Sequence, residues 1–347
     1  MDHPDLEKGA AFQRRLDDVG IVEGQIREDW NQVIVATEGE QRRHLRTPLI
    51  ALFRSPQINK LKQAIREIVE SVFDEIEDPT AVDFMRDVAW KIPSRVYCYL
   101  VAAPQENAAY VAKLSDNTVT PILTCDKSRL QESIDTFNAS KIFVKQHLDG
   151  RRRKGALGKD FTSLMIQQQL DGMLTEDELI FEGIAILHAS VDNTVHQIGL
   201  TFGTLLEDPS LWRAVREDER LIPPAVDETM RLRPRMSTIF RHARRETELE
   251  GIPVPADSWV FVSMRSANRD ETMFEDADTF RFDRRIGRVL QFGAGPYNCL
   301  GQTLARLELH ELLRVATERF PSMALNGEWS CHDTGMITEV TSLPVRL

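Results

Sequence analysis

Phe292-Gly293-Ala294-Gly295-Pro296-Tyr297-Asn298-Cys299-Leu300-Gly301 runs directly into Gln302-Thr303-Leu304-Ala305-Arg306-Leu307-Glu308. Two glycines and a proline predict a tight loop whose backbone can approach a flat ligand closely. The segment from Gln302 to Phe320 has helical spacing, so Cys299 falls at or just before a helix amino terminus. Free amides and the helix dipole there favour a thiolate. A rigid thiolate with glycines clearing space around it suits an axial metal ligand. The same ten residues also read as an inert cysteine buried beside a glycine turn.

Outward from this loop the chain changes character at Pro234. Ahead of it, from Phe12 to about Ser210, apolar residues recur at three and four: Leu49, Leu52, Phe53, then Leu61, Ile65, Ile68, Val69. The longest predicted helix starts at Thr175-Glu176-Asp177-Glu178, a capping box, and ends before Asp208-Pro209. It is apolar nearly all round, which predicts a central, buried helix roughly 50 Å long. Beyond Pro234, Ser237–Arg241, Glu250–Val254 and Trp259–Val262 read as short strands, and Leu343–Leu347 as a terminal one. Gly150-Arg151-Arg152-Arg153-Lys154-Gly155 reads as a basic loop between two helices. The fold class is mainly α with a small β component, α+β, in one domain over 1–347.

Composition excludes several functions. The 347 residues carry 43 basic and 54 acidic side chains, a net charge of −11, which disfavours general nucleic-acid or anionic-membrane binding. At 42% hydrophobic and 28% charged the chain can build a sizeable core and is not disordered. No run of eighteen apolar residues predicts a membrane span, and the start Met1-Asp2-His3-Pro4-Asp5 lacks a signal peptide's apolar stretch. Four scattered cysteines, Cys98, Cys125, Cys299 and Cys331, form no Cys-x-x-Cys pair. A cytoplasmic location is expected.

Phe292-Gly293-x-Gly295-x-x-x-Cys299-x-Gly301, followed by Leu-Ala-Arg-x-Glu, resembles the haem-binding loop and proximal helix of the cytochrome P-450 superfamily. The resemblance extends from about Glu38 to Leu347 and implies that fold, with haem b held by the Cys299 thiolate. Phe292, Gly293 and Tyr297 then border the cofactor, Tyr297 standing where histidine or arginine is common. Arg42 and Arg46 match the family's His-x-x-x-Arg stretch, and Arg241 a strand arginine; all three are implied propionate partners. Arg42, Arg43 and Arg46 could also attract an acidic ferredoxin. Glu228-x-x-Arg231 resembles the family's Glu-x-x-Arg, with Arg284 as its third, structural member. Only 37 residues precede Glu38, so the family's amino-terminal helix and strands are expected to be missing.

The long helix carries a polar knot, His188-Ala189-Ser190-Val191-Asp192-Asn193-Thr194-Val195-His196. The family pattern there is Ala-Gly-x-Asp/Glu-Thr, whose acid and hydroxyl relay protons. Ala189 and Asp192 match, Ser190 replaces the glycine, and Asn193 stands where threonine is expected. Thr194 is one position late, about 100° round the helix. Asp192, Asn193 and Thr194 are the catalytic candidates, with Asp192 and Asn193 expected to order a proton-delivering water.

The implied activity is monooxygenation: one atom of dioxygen enters a small hydrophobic organic substrate. Electrons would come from a ferredoxin and its NAD(P)H-dependent reductase. Two alternatives stand beside it. One is a truncated, catalytically impaired haem-binding member. The other is a metal hydrolase built on His188, Asp192 and His196, spaced i, i+4 and i+8.

Overall fold

The computed structural model describes residues 3–116, 118–155, 157–287 and 290–347. The chain is mainly helical with small sheets, as the periodicity predicts. It divides into two compact units.

The first unit comprises residues 1–52, 98–189 and 239–262. Its core forms where Phe12 and Phe137 pack on Trp30, at ring separations of 5.7 and 4.3 Å. Phe12 comes from the helix Gly9–Val19, Trp30 from Gln25–Gln32 and Phe137 from Leu130–Arg153. A small antiparallel sheet pairs Leu6–Glu7 with Thr238–Ala243, Leu6 opposite Ala243, and Trp259–Ser263 lies beyond it. The segment ahead of Glu38 therefore holds a strand and two helices. Their signal was present as Ala11, Phe12, Leu16 and Val19, which share one helix face and are buried.

The second unit comprises residues 53–97, 190–238 and 263–347. Phe202 packs on Phe84 at 4.4 Å, and the helix Lys62–Asp74 runs beside Gln302–Arg319, with Ile65, Val69, Leu309 and Leu312 fully buried. The predicted terminal strand forms as Pro344–Arg346, between Val82–Asp83 and Ala324–Leu325. A hairpin joins Ser330–Asp333 to Thr338–Ser342.

The long helix is Glu176–Glu207, 32 residues, divided at Ala189/Ser190 between the units. The capping box forms: the Thr175 amide donates to Glu178 Oε2 at 2.8 Å, and the Glu178 amide to Thr175 Oγ1 at 3.2 Å. Gly199 sits at a close approach: a Cβ there would stand 2.5 Å from Met85 Sδ and 3.0 Å from Val340 Cβ, so those side chains would have to shift. The basic segment differs from expectation. Arg151, Arg152 and Arg153 form the last turn of the helix Leu130–Arg153, where cations complement the dipole. Arg151 pairs with Asp160 at 2.9 Å and Arg152 with Glu176 at 2.6 Å, so these two arginines are engaged within the fold.

Candidate haem-thiolate site

The loop Leu290–Gly301 is built from two short 3-10 turns, Leu290–Phe292 and Gly295–Tyr297. Hydrogen bonds close it on itself. The Cys299 amide donates to the Phe292 carbonyl at 2.7 Å, and the Gly293 amide to that of Leu290 at 2.8 Å. Gly293 and Gly295 hold φ of +70° and +57°, a region that an L side chain enters only with strain. A Cβ on Gly293 would also stand 3.1 Å from the Tyr297 carbonyl oxygen.

The helix Gln302–Arg319 begins three residues after the cysteine, with Gly301 at its cap. Arg306, at the start of its second turn, lies 4.6 Å over the Phe292 ring and donates to Asp227 at 2.8 Å. Phe292, Gly293, Tyr297 and Cys299 are thus gathered in one loop by short-range bonds.

The four cysteines are not equivalent. Cys98 is buried, which pushes its thiol up to about 12; Cys125 is half-buried and its thiol is also raised, while Cys331 is exposed, on the hairpin strand Ser330–Asp333. Cys299 is exposed on the loop that Gly293 and Gly295 turn. A soft thiolate donor, positive-φ glycines and a helix start behind them fit the haem b that the sequence implies.

The structural triad is present. Glu228 holds Arg231 through two bonds of 2.7 and 2.8 Å, and Arg284 donates to Glu228 Oε1 at 3.1 Å. Glu228 and Arg231 are fully buried, so the pair is satisfied rather than solvent-screened. Arg231 also donates to the carbonyls of Asn268 and Ala277, and Arg284 to those of Glu275, Asp276 and Thr279. One carboxylate and two guanidiniums in this way fix the irregular chain between Asn268 and Arg284.

The polar knot is resolved differently at each residue. His188 lies 2.9 Å from Ser140 Oγ in the first unit. Asp192 is held between Arg235 at 2.9 Å and His196 at 3.3 Å in the second. Burial alone would raise the Asp192 carboxyl; the Arg235 charge and the His196 hydrogen bond override this and hold it far below the usual range. Asn193 is exposed, and Thr194 is buried. Among the described residues, no group of three or more His, Cys, Asp or Glu side chains is placed to hold a metal ion. The hydrolase alternative therefore has no metal site there.

The implied propionate arginines belong to the first unit. Arg42, on the helix Gly39–Leu52, is 9% exposed and donates to the Ile34 carbonyl at 2.6 Å. Arg42 is thus engaged within the fold, while Arg43 beside it is exposed. Arg46 is half-buried on the same helix. Arg241 is buried on the strand Thr238–Ala243 and donates to the Phe240 carbonyl at 2.7 Å. Arg235 is the residue that sequence reasoning missed. No local spacing links it to Asp192, 43 residues earlier.

A family model described as Cytochrome P450 matches residues 106–322. Luteothin monooxygenase of Streptomyces thioluteus is 29% identical over 343 residues, 97% of this chain and 83% of that protein. Nocardicin C N-oxygenase of Nocardia uniformis subsp. tsuyamanensis is 31% identical over 284 residues, 81% of this chain and 70% of that protein. The crystal structure of CalO2 superposes with a TM-score of 0.89 at 23% identity, covering 97% of this chain and 85% of its own. The chain belongs to the cytochrome P450 family, whose cofactor is haem b on a cysteine thiolate, and is a monooxygenase of that family.

Proposed function

We propose that Cys299 is the cysteine whose thiolate holds the haem iron, and that the chain inserts one atom of dioxygen into a small hydrophobic organic molecule. The observation that carries the assignment is the self-closed loop that presents an exposed Cys299 beyond two positive-φ glycines. Haem b supplies the oxygen-activating redox chemistry when bound.

The chain's own residues supply the rest. Gly293 lets the loop backbone fold back on Tyr297, and Phe292, Gly293 and Tyr297 would help to hold the cofactor beside Cys299. Arg42, Arg46 and Arg241 are cationic and suit haem propionates, which need charged or hydrogen-bonding partners when buried. Asp192, Asn193 and Thr194 are the candidates for managing protons. Asn193 can donate and accept hydrogen bonds but cannot pass a proton on as a hydroxyl does. Among the described residues no helix is long and apolar enough to cross a membrane, which suits a ferredoxin donor reduced by an NAD(P)H-dependent reductase and a cytoplasmic location.

The test uses the haem-loaded enzyme with a ferredoxin, its reductase, NAD(P)H and isotope-labelled dioxygen. Small hydrophobic compounds that shift the haem absorption serve as candidate substrates. The expected product is one labelled oxygen atom heavier than its substrate. Product oxygen drawn from water, or haem retention without turnover, would overturn the proposal.

A further inference from the structure

Arg235 lies in the turn after the helix Ile222–Leu232 and is 2% exposed. Its backbone is held on both sides: its amide donates to Gln197 Oε1 at 3.0 Å, and its carbonyl accepts from the Thr338 amide at 2.9 Å. Its side chain is fixed as tightly. Nη1 donates to the Thr338 carbonyl at 3.0 Å, and Nη2 to Asp192 Oδ2 at 2.9 Å. A guanidinium buried to this extent and hydrogen-bonded through both Nη1 and Nη2 has little freedom left to lose.

The second oxygen of Asp192 is 3.3 Å from His196 Nε2. The far nitrogen of that ring, Nδ1, accepts a hydrogen bond from the Val340 amide at 3.1 Å. The proton of the neutral imidazole is therefore on Nε2, facing Asp192, and a second proton on Nδ1 would point at a backbone N–H. Neither neighbour can pass a proton along. A guanidinium does not deprotonate in proteins, and this imidazole cannot reload through Nδ1 while Val340 occupies it.

Among the described residues, the charged groups facing the pair come from the turn, the long helix and the strand Thr338–Ser342, with Arg265 nearby on the helix Met264–Ala267. Arg235 lies in the turn, His196 on the long helix, and Glu339 on the strand Thr338–Ser342, where its carboxylate is 3.6 Å from Arg235 Nη2. Arg265 reaches the same strand, donating to Thr338 Oγ1 at 2.9 Å. Without Arg235, two carboxylates, Asp192 and Glu339, would share this partly buried place with no cation between them. Meanwhile Ala189 and Asn193, one turn apart on the long helix, are exposed.

We propose that Arg235 is a positioning residue: it draws the Asp192 carboxylate toward the strand Thr338–Ser342 and closes it to proton exchange, leaving the Asn193 amide as the polar group on the helix's open face. This rests on the reading of the long helix as the element that manages protons for oxygenation.

The test is an infrared pH titration of the haem-loaded enzyme, with the Asp192 band identified by its absence in Asp192→Asn. In the wild type no protonated Asp192 carboxyl is expected down to about pH 4. In Arg235→Met the protonated band is expected near neutral pH, a rise of at least about three units. The ratio of product formed to NAD(P)H consumed should be flat between about pH 6 and 8 in the wild type. In Arg235→Met it should vary at least about threefold, with the infrared midpoint, because only His196 is then left to oppose the effect of burial on Asp192. Arg235→Lys, which keeps the charge, should restore the flat profile. A wild-type Asp192 that titrates like an ordinary carboxylate would overturn the proposal, whether or not the methionine variant folds. So would an Asp192 that stays ionised in Arg235→Met. The infrared band does not depend on Cys299, so an error in the thiolate assignment would appear separately, in the spectrum of the carbon monoxide complex.

Discussion

Glu182 lies on the long helix with no exposed surface, and neither of its carboxyl oxygens has a hydrogen-bond partner among the described residues. Burial pushes its carboxyl up to about 8; the Arg42 charge opposes this only in part, and Glu178 adds to it. The folded chain thus keeps a proton on Glu182 through a window in which the unfolded chain has released it. Stability from this group is fully present below about 4.5 and falls as pH rises toward about 8. The whole window is worth roughly 4 to 5 kcal/mol at most. Denaturant unfolding at several pH values should show this decline in the wild type and a flatter profile in Glu182→Gln. An equally steep profile in the variant would place the titration elsewhere. Glu182 was not legible in the sequence, because an acid in an apolar helix reads alike whether it faces water or core. Asp192 was half legible. His196, one turn on, is a local partner, whereas Arg235 meets it only through tertiary folding.

At the scale of elements, the loop around Cys299 was the most legible part, because its signals are local: glycines that need positive φ, and a helix start after them. The capping box at Thr175 was legible for the same reason. Elements that depend on contacts distant in sequence were not. The strand Leu6–Glu7 is two residues long and exists because Thr238–Ala243 offers it an edge. The basic run Arg151–Arg153 looked like a loop because Gly150 precedes it, yet the helix continues through Gly150 and ends at Arg153, two residues before Gly155, where φ is +87°. The local reading leads to a sharp expectation for Gly293→Ala. It adds about 1–2 kcal/mol of backbone strain and a contact 3.1 Å from the Tyr297 carbonyl. Haem retained per chain after gel filtration should fall severalfold. Gly287→Ala is the control, since a Cβ there meets nothing within 4 Å. Equal haem retention in the two variants would mean that the loop's turn does not hold the cofactor.

For the whole molecule, the helical character, the switch to short strands after Pro234 and the terminal strand were all readable from hydrophobic period and turn residues. The division into two units was not, because each unit is assembled from three separate stretches of chain. A ligand that binds only the folded chain stabilises it by mass action. Calorimetry of the haem-loaded and haem-free chain should therefore show the loaded form melting several degrees higher, and coincident melting would contradict tight binding to the native fold. The central claim is that Cys299 supplies the thiolate. Its most direct test is the absorption spectrum of the reduced, carbon monoxide-treated enzyme. A strongly red-shifted Soret band in the wild type, lost in Cys299→Ala, is the predicted result. An unshifted band in the wild type, or a red-shifted band that survives in Cys299→Ala, would contradict it.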